Sequence, residues 1–189
     1  PRLALDGALQ ARERLPAAPT VMITAHGISE RERLRLEQAG KRLIDTTCPL
    51  VRRVHREARR LESEGRLVVV IGRPGHVEVR GITGDLDRFE VVCRPEDARS
   101  YPAGSLGVIC QTPSPPARGQ SVLAASREKN RHADIRYVAT MCKPTLERQA
   151  ALERLLGRVD GLVVVGGRHS NNTRRLAERG RECGVPSLH

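Results

Sequence analysis

The chain alternates between short apolar runs and longer stretches whose apolar residues fall at helical spacing. Residues 20–24 (Thr-Val-Met-Ile-Thr) read as a buried strand. Ser29 and Glu32 form a capping box, which predicts a helix over residues 30–39. Residues 42–45 give a second strand, followed by a helix over 49–63 with Leu50, Val51, Val54, Ala58 and Leu61 on one face. Residues 67–71 form a continuous apolar strand and lead into the polar loop 72–78. Further strands are expected at 89–93, 106–110, 134–138 and 161–165. Helices are expected from residue 95, over 114–129, over 145–156 and over 173–181. This alternation defines an α/β protein with mostly parallel sheets.

Six polar or ligand-type residues stand just past the carboxyl ends of these strands: His26, Cys48, His76, Thr112, Cys142 and Ser170. That edge is where open α/β sheets bind ligands. A repeat is also legible. Cys48 opens a helix that leads to a Val-Val-Val-Ile-Gly-Arg run ending at Arg73. Cys142 precedes a helix that leads to Val-Val-Val-Gly-Gly-Arg ending at Arg168. Both offsets are about 95 positions, which points to pseudo-symmetric copies of one α/β lobe, each with a Cys at the same corner.

Pro49 suits the first helical position, so Cys48 is predicted at a helix N-terminus, where unpaired N–H groups and the helix dipole favour the thiolate. The plainer reading is a small apolar side chain packed at a turn. Cys110 is a possible third thiolate, and Cys93 and Cys183 read as packing residues. Around the Cys pair, His26, His76, Glu78, Thr112, Ser170, Asn171 and Asn172 suit a small anion and a proton-transfer step. Each has a plainer reading too: Glu78 as a solvated helix residue, Ser170 to Asn172 as an N-cap. His55, His132 and His169 read as surface or packing residues.

Composition narrows the classes. The net charge is +11, nearly all of it arginine, in a chain of 189 residues. The arginines interleave with glutamates, as in Ser29-Glu30-Arg31-Glu32-Arg33, which suits solvated helix faces. Aromatic residues make up 2%, too few to stack bases, so no nucleic-acid partner is expected. Five widely spaced Cys without C-x-x-C exclude a secreted disulfide framework and point to a cytoplasmic setting. No run reads as a membrane span. The chain starts Pro1-Arg2 and ends in what reads as the opening of a strand, so both ends are expected to be truncated.

The motifs resemble the 4-hydroxy-3-methylbut-2-enyl diphosphate reductase family. The matching stretches are Thr24-Ala25-His26-Gly27-Ile28-Ser29, Asp45-Thr46-Thr47-Cys48-Pro49-Leu50-Val51 with Val54-His55, and Gly75-His76-Val77-Glu78-Val79. They continue with Gln111-Thr112, Cys142 with Thr145 and Arg148-Gln149, and Gly166-Gly167-Arg168-His169-Ser170-Asn171-Asn172-Thr173. The resemblance implies a trefoil of three lobes around a 4Fe-4S cluster. It divides this chain into the C-terminal part of a first lobe (1–47), a second lobe (48–139) and an incomplete third lobe (140–189).

By the same resemblance Cys48 and Cys142 are cluster ligands, and the third Cys ligand has no counterpart in this chain. His26, His76, Thr112, Ser170, Asn171 and Asn172 would hold an allylic diphosphate, and Glu78, bonded to Thr112, would deliver a proton. The activity implied is reductive removal of the substrate hydroxyl in the non-mevalonate isoprenoid pathway, with ferredoxin or flavodoxin as electron donor. The chain departs from the family at Asn171 (usually Ser), Pro113 and Cys110 (usually Thr) and Val77 (usually Pro). Little or no activity is therefore expected of these 189 residues alone. The alternative is a non-catalytic diphosphate-binding module on the same lobes.

Overall fold

The structure is a computed structural model that describes residues 15–112, 116–140, 143–167 and 170–189. Its elements group into three separate parallel sheets. The first pairs β1 (Thr20–Ile23) with β2 (Arg42–Asp45), joined by helix α1 (Glu30–Gln38). Ser29 caps α1 by accepting from the Glu32 N–H at 3.1 Å, the N-cap half of the predicted capping box.

The second sheet has four strands in the order β4-β3-β5-β6. They are β3 (Leu67–Ile71), β4 (Phe89–Val92), β5 (Ser105–Cys110) and β6 (Asp134–Val138), all parallel. Val68 to Ile71 are fully buried, as expected for a central parallel strand covered on both faces. Helix α2 (Pro49–Ser63) lays Val54, Ala58 and Leu61 onto this sheet, where they meet Val68, Val70 and Ile109. Helix α3 (Val77–Thr83) adds Val79 and Ile82 to the same cluster. Helix α4 (Pro116–Lys129) connects β5 to β6.

Residues 141–189 form a second compact unit, described by itself. Helix α5 (Lys143–Leu156) leads to β7 (Leu162–Val163), which pairs in parallel with β8 (Ser187–Leu188), and α6 (Asn171–Glu182) connects the two. Arg179 of α6 reaches Glu153 of α5 at 2.6 Å. Among the described residues no helix is long and apolar enough to cross a membrane.

The α/β alternation and the parallel sheets follow the sequence pattern. Helix α3 does not: its seven residues are too few to show a helical period. The short helix expected from residue 95 is a 3-10 turn, Pro95–Asp97. Strand β7 is two residues long instead of the five expected, pairing Leu162 with Ser187 and Val163 with Leu188 of the two-residue β8. Residues 1–14 and Cys142 lie outside the described residues. The arginine-rich helices carry ion pairs to carboxylates three or four residues away, among them Arg33–Glu30, Arg35–Glu32 and Arg60–Glu64.

Close packing of α2 on β5 depends on Gly107. A Cβ there would meet Leu61 Cβ at 2.8 Å and its Cδ1 at 2.9 Å. Gly107→Ala is expected to lower stability by about 1–3 kcal/mol, read from the urea midpoint. Gly104→Ala, whose Cβ meets nothing within 4 Å, should stay within about 0.5 kcal/mol.

Candidate active site

The strand order β4-β3-β5-β6 creates a switch point. The chain leaves β3 toward one edge of the sheet and leaves β5 toward the other, so a crevice opens between their carboxyl ends. Glu78 enters it from the first turn of α3, and Thr112 enters it from the end of β5. Glu78 is 1% exposed, which overturns its reading as a solvated helix residue. Its carboxyl is held from one side. The Thr112 N–H donates to Oε1 at 2.7 Å, and the Thr112 hydroxyl lies 2.8 Å from Oε1 and 2.9 Å from Oε2. The backbone N–H makes Oε1 an acceptor and leaves Oε2 without a backbone donor among the described residues. That oxygen faces His26, whose Nδ1 is 3.9 Å away.

His76 caps α3: its Nδ1 accepts the Glu78 N–H at 3.2 Å. This fixes the tautomer of the neutral ring, with its hydrogen on Nε2. The His26 and His76 rings meet edge to face, with centroids 5.5 Å apart and planes at 88°. Two imidazoles and a carboxyl thus converge on one crevice, with groups suited to bind an anion and to transfer a proton.

Cys48 arrives from the first sheet. The β1–β2 ladder continues past the strands: Thr46 N–H donates to Ile23 O at 3.0 Å, and Cys48 N–H to Ala25 O at 3.0 Å. This sets Cys48 beside the loop that carries His26. Cys48 is the N-cap residue of α2, with Pro49 following, and its thiol is free and makes no capping hydrogen bond. The turn before it is fixed by Asp45, which accepts from Thr47 N–H at 2.9 Å and pairs with Arg33 and, at 3.1 Å, Arg52. Burial alone would raise the Asp45 pKa, but the Thr47 hydrogen bonds and the Arg33 guanidinium hold it far below the usual carboxylate range.

Cys110, the possible third thiolate, does not join the site. It is fully buried at the end of β5 with its Sγ 3.7 Å from the Tyr137 hydroxyl, and burial pushes its thiol up, away from the ligand form. Cys183, read as a packing residue, is exposed. Ser170, Asn171 and Asn172 open α6 in the second unit, where the Ser170 hydroxyl accepts from Thr173 N–H at 3.3 Å. Cys142, Arg168 and His169 lie outside the described residues.

The sequence reading passed over Gln111 as a supporting residue. It is 5% exposed, and its Oε1 accepts the Arg73 N–H at 3.1 Å, which anchors the loop leading to His76. A polar residue directly after an apolar central strand was the available signal. Asp45 was read as the last residue of a strand, and its partners Arg33 and Arg52 come from two different helices.

A 4Fe-4S cluster needs three or four ligands, usually thiolates. Among the described residues no group of three His, Cys, Asp or Glu side chains is placed to hold a metal ion. Among the described residues, Cys48 has a free thiol at a helix N-terminus.

These features define an α/β protein of parallel sheets in which two imidazoles and a buried carboxyl meet at a topological switch point. The family model described as "LytB protein" matches residues 2–189, and the chain belongs to that family. It is 37% identical over 171 residues to the 4-hydroxy-3-methylbut-2-enyl diphosphate reductase of Anaeromyxobacter sp. (strain Fw109-5), covering 90% of this chain and 60% of the relative. The reductase of Zymomonas mobilis is 34% identical over 92% of this chain and 52% of the relative. The chain thus spans little more than half the length of these relatives. Among solved structures, E-1-hydroxy-2-methyl-but-2-enyl-4-diphosphate reductase from Plasmodium falciparum aligns with a TM-score of 0.82 and 27% identity, over 94% of this chain and 58% of that one. A second solved structure, of (E)-4-hydroxy-3-methyl-but-2-enyl diphosphate reductase, aligns with a TM-score of 0.68 and 30% identity, over 90% of this chain and 62% of that one.

The Asp45 contacts carry a pH signature. Its folded pKa lies below the unfolded value of about 3.9. The stabilisation is therefore complete above that value and is lost as pH falls through it toward the folded one. Asp45→Asn is expected to lower stability at pH 7 by about 1–3 kcal/mol. The gap between variant and wild type should shrink as unfolding is repeated at falling pH.

Proposed function

We propose that the chain carries the central part of a 4-hydroxy-3-methylbut-2-enyl diphosphate reductase, an oxidoreductase of isoprenoid synthesis by the non-mevalonate pathway. The observation that carries this reading is the buried Glu78 carboxyl, held by Thr112 and turned toward His26 at the switch point. The reaction replaces the C–OH bond of an allylic alcohol by C–H, consuming two electrons and two protons and releasing water. Isopentenyl and dimethylallyl diphosphate are the products.

His26 and His76 bind the diphosphate, and Ser170, Asn171 and Asn172 are diphosphate-binding residues by their match to the family motif. Glu78 protonates the departing hydroxyl from Oε2, while Thr112 holds Oε1 and orients the acid. Hydroxide is a poor leaving group, and a positioned acid turns it into water. Thr112 also binds the substrate alcohol in this reading. The 4Fe-4S cluster of the family supplies the electrons when bound, through Cys48 and Cys142 and a third Cys with no counterpart among the 189 residues. The electrons come in turn from a ferredoxin- or flavodoxin-type donor, and the setting is cytoplasmic. In this reading residues 1–47, 48–139 and 140–189 belong to three successive lobes of the family's fold. With two of the three cysteine ligands, the chain alone is expected to turn over little or no substrate.

Iron and sulfide analysis after anaerobic purification of the full-length protein tests the reading. About four irons per chain are expected, and Cys48→Ser should remove most of them. Iron-free protein that still binds diphosphate would favour a non-catalytic binding module instead. In the same full-length protein Glu78→Gln should keep its iron and lose about 10²–10⁴-fold in turnover. Unchanged turnover would remove Glu78 from the proton-donor role.

A further inference from the structure

His55 lies on the inward face of α2, next to Val54 and one turn from Ala58, and is 8% exposed. Its Nε2 is sealed from solvent and has no hydrogen-bond partner among the described residues. Burying a ring nitrogen unpaired is unfavourable, and an apolar side chain of similar size would avoid the penalty. Burial holds the imidazole below the ordinary His range, against a smaller upward pull from Asp85 and Glu78, so the ring is neutral.

The edge of the ring faces two glycines. A Cβ on Gly81 would lie 3.1 Å from His55 Cε1 and 3.4 Å from Nε2. A Cβ on Gly27 would lie 3.5 Å from Nε2 and 3.6 Å from Cε1. Gly27 directly follows His26 and has φ +69°, a conformation that favours glycine. Gly81 lies about one turn beyond Glu78 on α3. A Cβ on Gly81 would also lie 3.5 Å from the Gly27 carbonyl oxygen. Three elements therefore meet at one imidazole edge: the helix that begins at Cys48, the loop that carries His26 and the helix that carries Glu78.

We propose that His55 is a positioning residue for the anion site. Its ring edge sets the separation of His26 and Glu78. Its Nε2–H donates to the Gly27 carbonyl when the His26 loop engages diphosphate, which gives the buried nitrogen the partner it otherwise lacks. This rests on the diphosphate reading above.

Inorganic diphosphate titrated calorimetrically into the chain and its variants tests the proposal. His55→Leu should weaken binding about tenfold, the worth of one hydrogen bond, with a melting temperature within a few degrees of wild type. His55→Gln, whose amide nitrogen can take the place of Nε2, should stay within about threefold. A residue that only fills space gives the opposite order, and wild-type affinity in His55→Leu would overturn the proposal. If the Leu variant does not fold, His55→Met takes its place.

Amide exchange supplies a readout independent of any ligand. His55→Leu should accelerate exchange about tenfold in the 25–28 and 77–83 segments together, leaving β3 and β5 unchanged. Unchanged exchange in those segments, or a uniform rise across the lobe, would overturn the positioning role. If wild type binds no diphosphate, or His26→Asn binds it equally well, the diphosphate reading fails and the exchange result alone decides the role of His55.

Discussion

A carboxyl group buried beside a sheet must have its oxygens matched, and Thr112 meets that demand for Glu78 with its N–H and its hydroxyl. The pairing is possible only if the end of β5 lies next to the start of α3, which requires β3 and β5 to be neighbours. Their connections must also diverge, or the crevice would be closed by chain. Gly72 makes the turn out of β3 tight enough: a Cβ there would meet Val79 Cγ2 at 2.8 Å and Gln111 Oε1 at 3.0 Å. The same Gln111 oxygen takes the Arg73 N–H and fixes the approach to His76. Sheet order, one glycine and one amide thus place the acid and its neighbouring imidazole together.

The first sheet is joined to this arrangement by polar contacts rather than by a shared strand. Cys48 N–H and Ala25 O continue the β1–β2 ladder into the site. The Asp85 carboxylate, just beyond α3, accepts the N–H groups of Glu30 and Arg31 at 2.9 and 3.1 Å and so covers the N-terminus of α1. His26 is thereby held on a loop braced at both ends, by the ladder on one side and by the capped helix on the other.

Much of the fold was legible because its signals are local. The apolar run at 67–71, the capping box at Ser29 and Pro49 after Cys48 each specify an element from a few adjacent residues. Parallel sheets expose their carboxyl edge, and His26, His76, Glu78 and Thr112 do share one crevice there. What was not legible depends on partners distant in the chain. Glu78 is buried by the end of β5, 34 positions on, and nothing adjacent to it says so. Cys110 looked available at a strand end, yet strand register turns it toward Tyr137 instead. The Asp45 network draws on α1 and α2 together, and the free edge of His55 is visible only once two glycines close around it.

The Asp85 cap has a consequence for the order of assembly. Helix α1 has nine residues, too short to persist alone in water. The carboxylate that covers its N-terminus lies 55 positions downstream of Glu30. A ribosome delivers the first sheet well before it delivers that carboxylate. Helix α1 therefore gains its N-terminal partner only after β3 and α3 have emerged.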